Sequence, residues 1–402
     1  MNKENSALVL GMYETGLGVV RSLGQTGITV YGLDYHKDIA FYSKYCKAGI
    51  CPHPIEQEAE FISFMVSFAK KFSFKPVLYI TPDAFLMTVS RNQSTLKSYY
   101  LFDLVSDELM CKIVNKYEQY KLVQQAGAPL PLTYAFENLD QLDALKNGLP
   151  YPIIIKALDV NIWRGKLGGS IKGFVAKNAE EFIEQCTSLL LKGIKILVQE
   201  IINGPDTNHY KYCAYYSSSG EPVCEFTLRK IRQSPIHFGI GAVVESIKYD
   251  DLLEVGRRLF RTIGYQGVGS VEFKFDERDR QLKLIEINPR YWQQNYLSTA
   301  CGMNFPLINY QALTGGRPEL TSTFTTGIKW VNRYMDFNSF LEYRKEKTIT
   351  FKEWRKSLRG KKVYSDFSWD DPLPFGYEIR FGKRLFKIPK FIIKKTIYDK
   401  IS

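Results

Sequence analysis

The sequence predicts a multidomain α/β and α+β protein, with a Rossmann-like amino-terminal half domain ahead of a larger mixed region. Three observations predict it. A chain of 402 residues is too long for one ordinary core, so two or three domains are expected. Short apolar runs and helical stripes alternate near the start, as in a parallel βαβ unit. Further on, two adjacent apolar strands are joined by the polar turn Asp276 to Gln281, as in a hairpin.

Ala7 to Gly11 is the first apolar run. Gly16 and Gly18 come next, then an amphipathic stretch from Val19 to Leu23 and a second run from Ile28 to Asp34. The glycines are spaced G-x4-G-x-G and miss the dinucleotide fingerprint G-x-G-x-x-G. A loop that receives part of a substrate is the better expectation, because strand ends in open α/β sheets face the ligand crevice. A third strand is expected at Pro76 to Thr81.

A helix beginning around Asn115-Lys116-Tyr117 stops at Gly127-Ala128-Pro129. The run Tyr151 to Ala157 is a buried strand carrying Lys156, which suits either a phosphate-binding lysine or a snorkelling strand end. Trp163 to Ser170 is basic and glycine-rich. Its backbone could nest an anion, or it could be an ordinary hairpin turn. Ile196 to Ile202 is a strand leading into the turn Asn203-Gly204-Pro205-Asp206. Glu225 to Arg232 is a strand with three cations, Arg229, Lys230 and Arg232. Leu252, Val255, Leu259 and Ile263 form one helical stripe, closed by Gly264.

The densest chemistry lies in two adjacent strands, Gly269 to Phe275 and the run ending Glu286-Ile287-Asn288-Pro289-Arg290, joined by the polar turn Asp276 to Gln281. Side chains alternate along a strand, so Glu286 and Asn288 share a face, and a hairpin brings Glu272 beside them. Two carboxylates and an amide oxygen make an all-oxygen site of the kind Mg²⁺ takes alongside nucleotide phosphates. Arg290 can hold an oxyanion in bidentate fashion. Asn-Pro also starts turns, and acids line solvated faces, so this segment alone leaves both readings open.

Composition excludes several classes. The chain is 45% hydrophobic and 14% aromatic, without repeats or low-complexity tracts, which excludes solenoids and disorder. No apolar stretch reaches the length of a bilayer span. The seven cysteines are scattered, and the start runs straight into a strand, so reduced thiols and a cytoplasmic location are expected. Cys46, Cys51 and His53 lack a fourth neighbour for structural zinc. The net charge is +12, but residues 341–402 hold 17 Lys and Arg against 8 Asp and Glu, nine of that excess. The region with the chemistry is near neutral, which argues against a nucleic-acid groove. In the tail, Ile393, Ile397 and Ile401 recur at four-residue spacing beside Lys394, Lys395 and Lys400. This fits a peripheral helix at the inner membrane face or one docked on the core or a second copy.

Taken in order, these pieces resemble the ATP-grasp superfamily from about Asn115 to Pro318, with a Rossmann-like pre-domain before it. The phrases RKIRQSP, GSVEFKFDERDRQLKLIEINPRYW and ACGMNFPLINYQALTGG resemble its carboxylate–amine ligase branch, which includes D-aspartate ligase-like enzymes. The resemblance implies a pre-domain over residues 1–112 and a two-subdomain ATP-grasp fold over 113–320. The lid would cover about 130–200 and the large subdomain about 200–320, with a basic, aromatic-rich extension over 321–402. It implies ATP and Mg²⁺ as cofactors, two ions with Mn²⁺ as a substitute. Lys116 and Lys156 match phosphate-contacting lysines, and Arg164, Lys166, Gly168, Gly169 and Ser170 match the phosphate lid. Gln199, Glu200, Ile201 and Ile202 match the adenine hinge, and Glu200 and Asp206 are the candidate ribose acids. Glu272, Glu286 and Asn288 match the metal ligands, Arg290 the phosphoryl-stabilising arginine, and Lys230 and Arg232 anchors for a substrate carboxylate. Asn115 stands where many relatives carry Asp. The implied reaction joins a small-molecule carboxylate to an amine through an acyl phosphate, as in an amino-acid ligase working on an envelope or small-molecule precursor. The alternatives are a bicarbonate-using carboxylase and a nucleotide-binding module without catalysis.

Overall fold

A computed structural model describes residues 4–140, 142–158, 173–316, 318 and 323–380. Residues 159–172, which include Arg164, Lys166, Gly168, Gly169 and Ser170, lie outside the described residues, as does the tail from residue 381.

Near the amino terminus, β1 (Ala7–Leu10), β2 (Val30–Asp34), β3 (Cys46–Ile50) and β4 (Val77–Ile80) form a parallel sheet in the order β3-β2-β1-β4. All four residues of β1 and of β4 are buried, the continuous apolar pattern of a parallel sheet covered on both faces. The glycine spacing has a packing cause. Gly11 has φ +88°, and a Cβ on Gly16 would meet the Gly11 carbonyl oxygen at 2.0 Å. One on Gly18 would meet Asn295 Oδ1 at 2.5 Å, where the helix Glu14–Gly24 packs on the helix Asn295–Ala300. Asp34 accepts from the Met12 and Tyr35 amides at 2.7 and 2.8 Å, a local role that ties the strand ends together.

A second sheet holds β5 (Thr133–Phe136), β6 (Ile153–Ala157), β7 (Phe174–Ala176) and β8 (Ile196–Glu200), antiparallel in the order β5-β8-β6-β7. Helix Ala179–Leu191 covers it through Phe182, Cys186 and Leu189.

The largest sheet contains β9 (His209–Tyr216), β10 (Pro222–Ser234), β11 (Ile240–Ser246), β12 (Gly267–Asp276), β13 (Gln281–Asn288), β14 (Lys329–Val331) and β15 (Lys362–Tyr364). Its order is β13-β12-β9-β10-β11-β14-β15, antiparallel except for β14 and β15. Two strands thus come from beyond residue 320. The helix Asp250–Thr262 lies over β9, and a Cβ on Gly256 would strike the Tyr212 ring at 2.4 Å, so glycine sets the helix–sheet distance. Gly264 follows the helix with φ +66°.

The hydrophobic core joins the amino-terminal unit to the large sheet, since Phe85, Tyr100 and Phe102 share a cluster with Tyr212, Tyr216 and Phe260. Arg21 and Asp371, both essentially inaccessible to water, pair at 2.9 Å and pin the segment after β15 to the first helix. All seven cysteines are free thiols, and no described helix is long and apolar enough to cross a membrane.

Candidate functional site

The small sheet and the large sheet face each other across a cleft of about 420 Å³. Lys156, Gln199, Glu200, Ile201 and Ile202 line one wall. Lys116, Lys230, Glu272 and Glu286 line the other, together with His209, Gln233 and Lys274.

The hairpin β12–β13 builds the acidic end. Glu272 lies directly opposite Glu286, and Ser270 opposite Asn288. The register shifts between Glu272 and Phe273, and Tyr120 donates its hydroxyl to the Ile285 carbonyl in the bulged stretch at 2.9 Å. Phe273, Leu284 and Ile287 fill the core beneath, so apolar packing on one face fixes the carboxylates on the other.

Each carboxylate is held by ammonium groups. Lys211 and Lys230 grip Glu272 at 2.9 and 3.0 Å. Lys116 meets Glu286 at 2.9 Å, and the Asn288 amide donates to the same carboxylate at 2.9 Å. Burial pushes the Glu272 carboxyl up, but Lys211 and Lys230 outweigh it and hold it well below the usual range. Burial likewise opposes ionisation of Glu286, yet Lys116 and the Asn288 amide bring it down to about 2. Lys116 gains in return, its pKa raised by Glu286 against the effect of burial. Burial, with Lys230 and Lys274 nearby, pushes His209 down to about 3, so this imidazole is neutral. Burial also lowers the pKa of Lys274.

On the facing wall, Lys156 donates to Gln199 Oε1 at 3.1 Å, and Gln199 donates to Thr133 Oγ1 at 3.0 Å. Glu200 lines the cleft with its carboxylate already engaged, by the Leu132 amide at 2.9 Å and by Arg278.

The structure places three expected site residues elsewhere. Arg232 is not among the cleft-lining residues: it pairs with buried Asp336 at 2.6 Å and donates to Ser357 Oγ. The cause is a pair of register shifts between β10 and β11 around Arg232, which leave Lys230 and Gln233 on the cleft and Arg232 off it. Asp206 sits behind the cleft, accepting from the His237 amide at 2.9 Å and from the Tyr343 hydroxyl. Arg290 reaches across to Asp83 of the amino-terminal unit, Nε to Oδ1 at 2.5 Å.

Sequence reasoning missed Lys211, His209 and Lys274. Lys211 and His209 lie on β9, an aromatic-rich run closed by Ser217-Ser218-Ser219-Gly220, which is itself a strand signal. Among the described residues no group of three or more His, Cys, Asp and Glu side chains could hold a metal ion, and Cys46, Cys51 and His53 form none. The set Glu272, Glu286 and Asn288 has two carboxylates and an amide.

Comparison with known proteins places this cleft in context. A match to the family described as carbamoyl-phosphate synthase L chain, ATP binding domain, spans residues 115–315, half of the chain. A D-aspartate ligase of Enterococcus faecium (strain Aus0004) is 24% identical over 322 residues, 76% of each chain. The L-amino acid ligase of Bacillus licheniformis superposes with a TM-score of 0.59 at 15% identity, covering 78% of this chain and 75% of that one. N5-carboxyaminoimidazole synthetase of Staphylococcus aureus superposes with a TM-score of 0.62 at 14% identity, covering 81% and 82%.

Proposed function

Because the chain belongs to the family of the carbamoyl-phosphate synthase L chain ATP-binding domain, with the ATP-grasp fold, we propose that its cleft binds Mg-ATP and drives carboxylate–amine ligation. The observation that carries this reading is the facing pair Glu272 and Glu286, with Asn288 beside them, in a cleft whose walls bear Lys116 and Lys156.

The donor set fits Mg²⁺. It is all oxygen, and the three ammonium groups gathered on the two carboxylates mark a place where positive charge is required. Glu272, Glu286 and Asn288 would hold the ion, which when bound neutralises phosphate charge. Lys116 and Lys156 hold phosphate oxygens as compact charges. The backbone of Glu200 to Ile202 offers an edge for adenine. Lys230 anchors the substrate carboxylate, and Arg290, released from Asp83, steadies the transferred phosphoryl group.

The acid's carboxylate oxygen attacks the γ-phosphorus of ATP, and the bond to the β–γ bridging oxygen breaks to release ADP. The amine then attacks the acyl carbon, inorganic phosphate leaves, and the amine gives up a proton. These residues position groups and balance charge, which is what phosphoryl transfer requires of a protein. The named relatives favour an amino acid as one of the two substrates.

The test is ADP release with candidate amino acids alone, then with amines, then with hydroxylamine. A hydroxamate formed only with ATP and one acid is expected. ADP release with bicarbonate and no amino acid would favour carboxylation, and no ADP with any acid would favour a non-catalytic module.

A further inference from the structure

We infer that the helical hairpin after β14, Arg333–Lys345 followed by Phe351–Ser357, carries a docking face for an anionic lipid surface. From residue 352 to 362 stand six cations, Lys352, Arg355, Lys356, Arg359, Lys361 and Lys362, against one acid, Glu353. Glu353 is already used, since its carboxylate accepts from the Thr350 amide at 2.8 Å in a capping box. Among the described residues none of the six cations makes an ion pair, and all but Lys362 are exposed.

An apolar face adjoins this charge. Phe337 and Phe351 are each 51% exposed and Leu341 is 49% exposed. They are held in place from behind. Phe340 and Trp354 stack at 4.6 Å, Phe351 packs on Trp354 at 5.5 Å, and Phe337 sits 6.4 Å from Phe340. The Trp354 indole donates to Asp336, the same buried carboxylate that Arg232 holds, so the hairpin is fastened rigidly to the large sheet.

Cations beside exposed aromatic and aliphatic side chains are the composition of a surface that lies in a lipid interface. Nucleic acid would also answer the charge, but it needs open ring faces on which bases stack. Here the Trp354 and Phe340 faces are turned on each other, Phe337 and Phe351 are half covered by packing on them, and Leu341 offers no platform. The same helix also meets the loop that borders the cleft and the Asp206 behind it: Glu342 accepts from the Ile236 amide at 3.1 Å, and Tyr343 donates to Asp206. A lipid surface docked on the hairpin therefore holds the cleft mouth at a set distance from it. The proposal does not rest on the ligation chemistry.

The test uses the full chain in sedimentation with vesicles of phosphatidylcholine alone and of phosphatidylcholine with phosphatidylglycerol. Binding to the anionic vesicles only, weakening as salt rises, is expected. The combined change Lys352→Glu, Arg355→Glu, Lys356→Glu should weaken that binding about tenfold or more. Phe337→Ser with Phe351→Ser should also weaken it, and removal of residues 381–402 should leave it in place. ADP release in solution, read on the same samples, should be unchanged in the charge-reversed protein. No vesicle binding, retained binding after charge reversal, loss on tail removal alone, or tighter binding to single-stranded DNA than to vesicles would each overturn the assignment.

Discussion

Two sets of ion pairs, one at the cleft and one away from it, are built differently. At the cleft, Glu272 and Glu286 are held by lysines, and the Lys116–Glu286 pair keeps about a third of each side chain in water. Away from it, Arg232–Asp336 and Arg21–Asp371 are arginine pairs with at most 3% of either side chain exposed. An ammonium is a single point charge on a flexible stem and changes partners readily. A guanidinium is a planar fork that fixes its acceptors. Arg21 illustrates the second kind: its Nη2 also donates to the Asp366 and Asp371 carbonyls, so three bonds hold one geometry. The difference teaches that the part-exposed lysine pair marks where a ligand is expected to displace a partner, and that the two fully buried arginine pairs, unlike the open Arg290–Asp83 pair, mark where the fold is closed.

The largest effect tests the lysine side. Glu286→Ala, and separately Asn288→Ala, should cut ATP-dependent ADP release by about 10³-fold or more while the protein stays folded. Lys116 would keep a solvent-accessible ammonium in each case, so the loss of activity should not be accompanied by a comparable loss of stability. Near-normal turnover in both variants would break the distinction at the cleft.

Arg232→Met tests the other side. It leaves Asp336 buried with the Trp354 indole but without its counter-charge, and should cost about 3–5 kcal/mol in urea unfolding. Removing both charges, with Asp336→Leu added, should recover much of the loss, because the penalty is the orphaned carboxylate. Folded Arg232→Met protein should keep its KM for the acid substrate. A raised KM without lost stability would return Arg232 to the substrate site.

A smaller change is expected at Lys156, which donates to the Gln199 amide oxygen. Lys156→Met removes one charge-assisted bond to a phosphate, worth about 1.5–3 kcal/mol, or some 10- to 150-fold in ADP affinity by calorimetry. An unchanged affinity would make Lys156 a strand-end lysine and nothing more.

The contrast between these sites also explains what could be read from the sequence. The β12–β13 hairpin was legible because its turn, Asp276 to Gln281, is polar and its Glu-Ile-Asn alternation is local. The helix Asp250–Thr262 was legible from one stripe and Gly264. β9 was not, because six of its eight residues, Lys211 to Tyr216, are buried in a row and no alternation marks a face. With β9 went Lys211, whose meeting with Glu272 depends on pairing strands about sixty residues apart. Arg232 was misplaced because strict alternation puts it on the face of Lys230, and only the register shifts against β11 separate them. Local pattern reveals elements, whereas register and bulges are set by the partner strand.

The smallest effect concerns the link between the two sides. His237 belongs to the loop joining β10 to β11, whose Phe238 and Gly239 line the cleft, and its φ of +68° is unusual for a side-chain-bearing residue. Its ring lies 3.5 Å from Asp206 and 3.1 Å from Glu346. Burial disfavours the charged imidazole, but the two carboxylates outweigh it and raise its pKa above the ordinary value. Asp206 is the reverse case, since burial pushes it up and His237 and Tyr343 bring it well below the usual range. A histidine raised in the folded state stabilises fully below its unfolded pKa, and that contribution is lost as pH climbs through the folded value. A depressed aspartate stabilises above its unfolded pKa and loses that contribution only in acid. The loop should therefore be tightest in weakly acidic solution and should loosen as pH rises through and above the ordinary histidine range. Hydrogen exchange over Ser234 to Gly239 should quicken across that range beyond the intrinsic rise, and the KM for ATP should climb modestly with it. In His237→Gln both trends should flatten, while the carboxylate-held cleft of Glu272 and Glu286, ionised throughout this range, contributes no slope. Equal slopes in the two proteins would show that the clamp behind the cleft does not depend on this proton.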